Sequence, residues 1–463
     1  MKRFLVAGMC SMIKLCLLCM RVNINIAIIE MVQTQNLTEE DASNVTLTTK
    51  VPTYVWDKET RQMILSGFFY GYTIAPVPGG WIACRLGGKR VNLFSLISSS
   101  ILTALIPWSA GVSSNLLIVL RVLDGMAQGL NNAATVVLLG KWAVPHERST
   151  LVSIAFFGLA LAEVISNPLS AWICSAYNWP LSFYTYSIFG AVAAILWVVL
   201  IYETPEKDPF ISSNEVEYLK GFDTGDGENK DKNISVPLLS IVKSSAVWAI
   251  VLVYLAYCFG FYFIITEAPT FISEIFGFDL KTTGWLMSIL GIADCFFTLT
   301  SGVCADFIIR HKYLTIFQTR KLFAFLGTGL CAFLLICMDV FKHSAILSLI
   351  TLILAFGTLG CNHSSIMPNI LDITKHYSGV IIGIMTSVGS CSGFVGPTLI
   401  GALISNNNTY GQWSLMFKII GGIQLFGVTI FLLFAKAEEQ FHHPNKENIS
   451  KQEMKSYKAI EDN

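Results

Sequence analysis

The chain is 463 residues long, 53% hydrophobic and only 13% charged, with 31 basic residues balancing 31 acidic ones. Its mean hydropathy of +0.59 lies far from a soluble norm and identifies a polytopic membrane protein. The even charge balance supplies no basic surface for nucleic acid.

A hydrocarbon core of about 30 Å takes about 20 apolar helical residues per crossing. Twelve stretches answer to that length, at 5–29, 64–83, 91–110, 116–139, 151–173, 182–202, 247–271, 284–308, 322–341, 345–366, 380–404 and 415–434. The first follows Lys2 and Arg3 and runs too long for a secretory leader, so it reads as a retained helix. It also carries Arg21. A guanidinium near the bilayer centre costs roughly 3 kcal/mol on insertion scales, so such a residue faces a bundle interior or a water-filled path and pairs with an anion. Asn25 lies one turn beyond Arg21 and Lys14 two turns before it, on roughly the same face. Lys14 is expected to snorkel toward the nearer membrane surface.

The loop after the first helix, 32–61, carries the glycan acceptor sequences Asn36-Leu37-Thr38 and Asn44-Val45-Thr46. Basic residues gather in other loops: Arg85, Lys89 and Arg90 after helix 2, Lys141 and Arg148 after helix 4, and Arg310, Lys312, Arg320 and Lys321 after helix 8. By the positive-inside rule these loops are expected to be cytoplasmic, which puts both termini there as well. Asn36 and Asn44 then fall on the opposite side, where glycosylation occurs.

Helix 4 carries Arg121, Asp124, Gln128, Asn131 and Thr135 in steps of three and four. That spacing makes one polar ribbon suited to lining a cavity, although an internal Arg121–Asp124 pair that merely tethers the helix would give the same pattern. Helix 5 repeats the arrangement with Glu163, Ser166, Asn167 and Ser170, and meets Pro168, which frees a backbone carbonyl. Glu163 is either an acid that titrates during a cycle or the partner of Lys14 or Arg21.

From 203 to 243 the chain turns polar and acidic, with Asp223, Thr224, Gly225, Asp226, Gly227 and Glu228 at its middle, the composition of a solvated linker. It divides an N-terminal six-helix bundle, 1–202, from a C-terminal one, 244–435, with a charged tail at 436–463. The halves share a signal: GGWIACRLGGKR between helices 2 and 3 corresponds to SGVCADFIIRHK between helices 8 and 9. An all-α protein of two pseudo-symmetric six-helix bundles, the major facilitator plan, is the natural reading. In the second half Asp294 on helix 8 is a lone acid well inside its span, whereas Glu267 stands near the outer end of helix 7.

No disulfide framework or metal-ligand spacing is evident among the 12 cysteines, Cys16 and Cys19 forming a lone intramembrane CxxC. Gly87-Gly88-Lys89-Arg90 lacks the Ser or Thr and the preceding strand of a phosphate loop, so no enzyme, cofactor or nucleotide site is expected. A buried arginine offers a planar fork to carboxylate or phosphate. Moving that anion against a negative-inside potential costs about 2.3 kcal/mol per charge per 100 mV, which co-transport of H+ or Na+ would offset.

The string FFYGYTIAPVPGGWIACRLGGKRV at 68–91, RVNINIAI at 21–28, KWAVPHERSTLVSI at 141–154, VISNPLSAWI at 164–173, NILDITKHYSGVIIGI at 369–384 and LLFAKAEEQ at 432–440 resemble the anion and cation symporter family of the major facilitator superfamily. That family holds sialin, the type I sodium and phosphate cotransporters and the vesicular glutamate transporters. The likeness covers nearly the whole chain. It implies that Arg21 serves near the substrate and that Asp124 stands where many members have a glutamate implicated in proton coupling. Departures accompany it: Gln128 occupies a position often acidic in proton-coupled members, and Leu65 and Tyr257 stand where the vesicular glutamate type has a histidine and an arginine. Cys84 replaces the usual acid of the helix 2–3 motif while Asp306 keeps its counterpart, and Glu163 and Asp294 look unusual for the family.

The candidate residues are therefore Arg21, Asn25, Tyr70 and Tyr257 for substrate, Asp124, Glu163 and Asp294 for the coupling ion, and Arg85, Lys89, Asp306, Arg310, Asn369 and Asp372 for gating. The expected function is H+- or Na+-coupled symport of a small anion such as phosphate, an acidic sugar or a carboxylate, by one chain in the plasma membrane or a lysosomal or vesicular membrane. An uncoupled exchanger and a transport-fold receptor are the alternatives.

Overall fold

The computed structural model describes residues 1–32, 53–220, 238–278, 280–341, 344–374, 377–395 and 410–436. Asn36, Asn44, the acidic centre of the linker and the charged tail lie outside the described residues.

In the first half the rods are α1 (Lys2–Met31), α2 (Lys58–Ile74) with α3 (Pro76–Leu86), α4 (Gly88–Val112), α5 (Ser114–Gly129) with α6 (Asn131–Trp142), α7 (Arg148–Ala176) and α8 (Trp179–Leu200). Two short helices, α9 (Ser213–Lys220) and α10 (Leu238–Lys243), flank the undescribed part of the linker. The second half comprises α11 (Ser245–Phe276), α12 (Leu280–Arg310), α13 (Ile316–Ala324) with α14 (Leu330–Cys337), α15 (Ala345–Leu359) with α16 (Ile366–Ile373), α17 (Ser378–Ser390) and α18 (Tyr410–Phe434).

Ten spans among the described residues are long and apolar enough to cross a membrane. Two more are composite. At Ala75 (φ −72°, ψ −28°) and Leu130 (φ −73°, ψ −26°) the backbone stays right-handed helical, so α2–α3 and α5–α6 each continue as one rod. Pro76 explains the first break, since proline has no N–H to donate but is favoured at a first helical turn. Asp57 starts α2 as its N-cap, its side chain accepting from the Thr60 N–H at 3.1 Å. Pro107, Pro168 and Pro269 all sit inside helices, which a membrane bundle tolerates because neighbouring groups re-satisfy the freed backbone.

Within the first half α1 packs on α7 and α8, α2 on α5, and α4 on α5 and α8; within the second α11 packs on α18, α12 on α15, and α14 on α15 and α18. Two seams join the halves, α7 against α12 and α3 against α17. Small residues let the backbones close, as membrane interfaces require. A Cβ on Gly80 would overlap the Gly379 carbonyl, one on Gly383 the Pro76 carbonyl, and one on Gly302 would stand 2.6 Å from Ser153. We expect Gly80→Val to cost about 1–3 kcal/mol through overpacking, read as a lower midpoint of thermal unfolding in detergent. An unchanged midpoint would mean that the two helices do not meet there.

Described contacts between the halves run from the end carrying the basic loops up to the level of Arg21 and Gly291. Beyond it Asn25, Glu30 and Thr266 are exposed, and nothing stands within 4 Å of a Cβ built on Gly284. The molecule is joined at its basic end. The same end holds the N-terminus against the start of the linker, where Glu215 accepts from the Lys2 N–H at 2.9 Å and Lys2 pairs with Asp208 at 3.3 Å.

Candidate functional site

Arg21 lies midway along α1, where the rods of both halves converge. Its guanidinium carbon sits 4.6 Å from the Phe68 ring centre, 4.8 Å from Phe69, 5.1 Å from Tyr72 and 5.5 Å from Tyr262. The first three rings come from α2, and Tyr262 comes from α11 of the opposite half, its hydroxyl taking a hydrogen bond from Arg21 at 3.2 Å. No carboxylate pairs with Arg21 among the described residues, and the side chain is partly exposed. Aromatic faces stabilise a cation by about 0.5–2 kcal/mol each without neutralising it. The fork is therefore positioned, still charged and free to receive an anion.

Phe68 is shared: Arg121 lies 5.2 Å from the centre of the same buried ring. Arg121 stands 3.8 Å from Asp124 on its own helix, and Gln128 donates to both Asp124 oxygens at 3.2 Å. The polar ribbon is buried throughout, from Arg121 at 2% exposure to Thr135 at 0%. Its lower part turns away from Arg21 and forms a second cluster. Lys14 donates to Asn131 at 3.1 Å and Asn132 at 2.7 Å, Asn131 donates to Asn92 at 2.8 Å, and Asn132 donates to the Tyr72 hydroxyl at 3.1 Å. Snorkelling is thus not what Lys14 does, because two asparagines offer it oxygens inside the bundle and it is 1% exposed.

Glu163 and Asp294 sit on the two helices of the α7–α12 seam, Glu163 facing α12 and Asp294 turned toward Gly360 of its own half. The Glu163 Cβ is 3.7 Å from where a Cβ on Gly291 would stand, and Asp294 lies one turn further along α12, its Oδ1 2.8 Å from the matching position on Gly360. Glu163 Oε1 is buried with no hydrogen-bond partner. Neither Lys14 nor Arg21 forms an ion pair with Glu163 among the described residues.

At the basic end the halves are tied by charge. Asp372 on α16 takes Arg148 of α7 at 2.5 Å and Arg320 of α13 at 2.8 Å, and Arg320 also donates to Ser149 of the first half at 2.6 Å. Asp306 accepts from the Ser149 and Thr150 N–H groups at 3.1 and 2.6 Å, so its carboxylate sits on the positive end of α7. The corresponding place at the start of α17 holds the Cys84 sulfur, 2.8 Å from where a Cβ on Gly379 would stand.

The other candidates stand elsewhere. Tyr70 is half exposed and lies against Phe394, away from Arg21. Asn25 is exposed on the open side. Tyr257 is buried, one and a half turns from Tyr262, beside Phe261 and His363. Arg85 is exposed over Trp81, Lys89 lies over Tyr202 of its own half, and Arg310 is exposed. Asn369 donates to the Lys436 carbonyl within the second half. Arg148 and Arg320, which the sequence offered only as topology markers, hold Asp372 from the two halves, and Tyr262, Phe68 and Phe69 surround Arg21. The one signal for the latter was the aromatic string FFYGY at 68–72.

Two helical halves meeting around a central arginine have the plan of major facilitator transporters. The family model "Major Facilitator Superfamily" matches residues 11–397 and 313–460. Sialin of Homo sapiens is 33% identical over 434 residues, 91% of this chain and 86% of sialin, and a probable small intestine urate exporter of Mus musculus is 33% identical over 404 residues, 87% and 81% of the two chains. Among solved structures the proton:xylose symporter XylE superposes with a TM-score of 0.69 at 14% identity, covering 95% of this chain and 96% of that one; at that identity the likeness is one of fold. The chain belongs to the major facilitator superfamily, in the family of anion transporters that includes sialin. It is an integral multi-pass membrane transporter and not an enzyme.

Proposed function

We propose that the protein is a secondary active carrier that moves a small organic or inorganic anion (phosphate, sialic acid or another acidic sugar, or a carboxylate) in symport with H+ or Na+. The observation that carries this reading is Arg21, a guanidinium without a carboxylate, caged by rings from both halves. A site shared by two halves is exposed to each side in turn when the halves rock about it. The probable urate exporter, named for an acidic solute, supports an anion as cargo. Asp124, Glu163 and Asp294 are the acids placed to carry the coupling ion. The basic end is the cytoplasmic one, one chain is the working unit, and the plasma membrane or a lysosomal or vesicular membrane is its place.

The test is uptake of labelled phosphate, N-acetylneuraminate, glucuronate, glutamate and urate into proteoliposomes under imposed proton or sodium gradients, with Asp124→Asn beside the wild type. Accumulation above equilibrium by the wild type, reduced to simple equilibration by Asp124→Asn, is expected. Wild-type flux that ignores both gradients would replace symport with exchange, the reading favoured by Gln128, whose amide occupies both Asp124 oxygens. Absence of any flux would remove the transport of these anions.

A further inference from the structure

Lys14 is a buried cation that the central site does not use. It sits seven residues before Arg21 on α1, about 10 Å nearer the basic end. Its surroundings suit an ammonium: two amide oxygens accept from it, and the Phe156 ring face lies 4.0 Å away. The amide orientations are fixed by their other bonds, since each asparagine nitrogen is committed, to Asn92 and to Tyr72. Yet no carboxylate forms an ion pair with Lys14 among the described residues. Cys10 lies one turn away on the same helix, and His363 of the opposite half stacks on Phe156 at 4.8 Å.

A buried charge with only neutral partners is costly and is retained where an anion visits it. A chain of side-chain contacts links Lys14 to the central site. Tyr72, whose ring flanks Arg21, accepts from Asn132, which accepts from Lys14. The far wall belongs to the other half, through His363 and Tyr257, whose rings stand 6.1 Å apart. Behind that wall, within the second half, the crevice lined by Tyr254, Tyr257, Asn362, His363, Ile366 and Met367 has no room for a water molecule. Parting the halves at the basic end would draw that wall away and uncover the ammonium.

We propose that Lys14, held by Asn131 and Asn132, is a second anion-binding station that receives the carboxylate or phosphate group from Arg21 when the basic end opens. The inference rests on the anion-carrier reading and adds its inward half: Arg21 loads the anion from the open side, and Lys14 holds it before release. His363 and Tyr257 close the station from the opposite half, so it exists as a binding site only when the basic end opens.

The experiment uses the full chain in proteoliposomes of defined orientation and whichever of phosphate, N-acetylneuraminate, glucuronate, glutamate or urate the wild type moves. Half-saturation is measured separately for flux starting at each face. Removing one charged hydrogen-bonding partner predicts about a tenfold rise in half-saturation. Lys14→Met is expected to show that rise at the basic face and less than about a threefold change at the other, while Lys14→Arg stays near the wild type. An unchanged value at both faces, or an equal rise at both, would overturn the station and leave Lys14 a scaffold residue. Should Lys14→Met fail to assemble, Lys14→Gln against Lys14→Arg decides the same question. A wild type that moves none of the five would defeat the carrier reading itself, before Lys14 is reached.

Discussion

Replacing Arg21 with alanine is expected to reduce anion uptake to the background of empty liposomes, the largest single effect in this protein. The arginine is the cation at the centre of the path that lacks a carboxylate partner, and its two-pronged hydrogen bonding to an oxyanion contributes more than a point charge would. Loss of such a buried pairing costs about 3–5 kcal/mol, or about a hundredfold and more in affinity. Arg21→Lys should recover part of the rate, because the Phe68, Phe69, Tyr72 and Tyr262 rings accept any cation but an ammonium gives up the fork. Initial uptake rates at several anion concentrations check both variants. Alanine at wild-type rates would remove Arg21 from the path.

The second large effect is at the basic end. Arg148, Asp372 and Arg320 have side-chain exposures of 4%, 5% and 1%, so Asp372→Asn leaves two buried guanidinium groups facing each other without an anion. Stranding charge in this way costs about 3–5 kcal/mol, and the halves relieve it by parting, since the two arginines belong to different halves. The population joined at the basic end should fall by about two orders of magnitude relative to the opened one. Pulsed spin-label distances between the exposed positions 85 and 310 should lengthen in Asp372→Asn, and anion uptake should fall because loading requires the closed basic end. An unchanged distance distribution would show that helix contacts such as Gly80 on Gly379 hold the seam without help from the ion network.

What was legible in the sequence follows from which interactions are local. Spans are local, since about 20 apolar residues must cover the hydrocarbon whatever they touch, and eleven of the runs, with 380–395 of the run at 380–404, lie on helical rods among the described residues. The pauses at Ala75 and Leu130 were less so: Pro76 marks the first, and nothing in the sequence marks the second. Arg21 announced itself through cost, because a guanidinium in an apolar run demands a reason. Its surroundings did not, because the cage joins residues 68–72 to Tyr262, almost two hundred positions away and on another half. The same distance hid the gate. Arg148 and Asp372 meet across 224 positions of sequence, so the basic loops pointed to orientation and left the pairing unread. Lys14 was misjudged for a related reason: snorkelling is the default for a lysine alone on its helix, and here Asn131 and Asn132 sit on the adjoining helix face. Glu163 and Asp294 stood out as isolated acids, but that they share one seam is a fact of the fold.

The central claim is that one site built from both halves around Arg21 carries an anion across by alternating exposure. Counterflow tests it most directly: proteoliposomes loaded with unlabelled N-acetylneuraminate, phosphate or urate are diluted into tracer of the same anion with no ion gradient. A carrier predicts a transient accumulation of tracer above its equilibrium level, present in the wild type and absent in Arg21→Ala. Tracer that never exceeds equilibrium for any of the three, or an overshoot that survives in Arg21→Ala, would contradict the account.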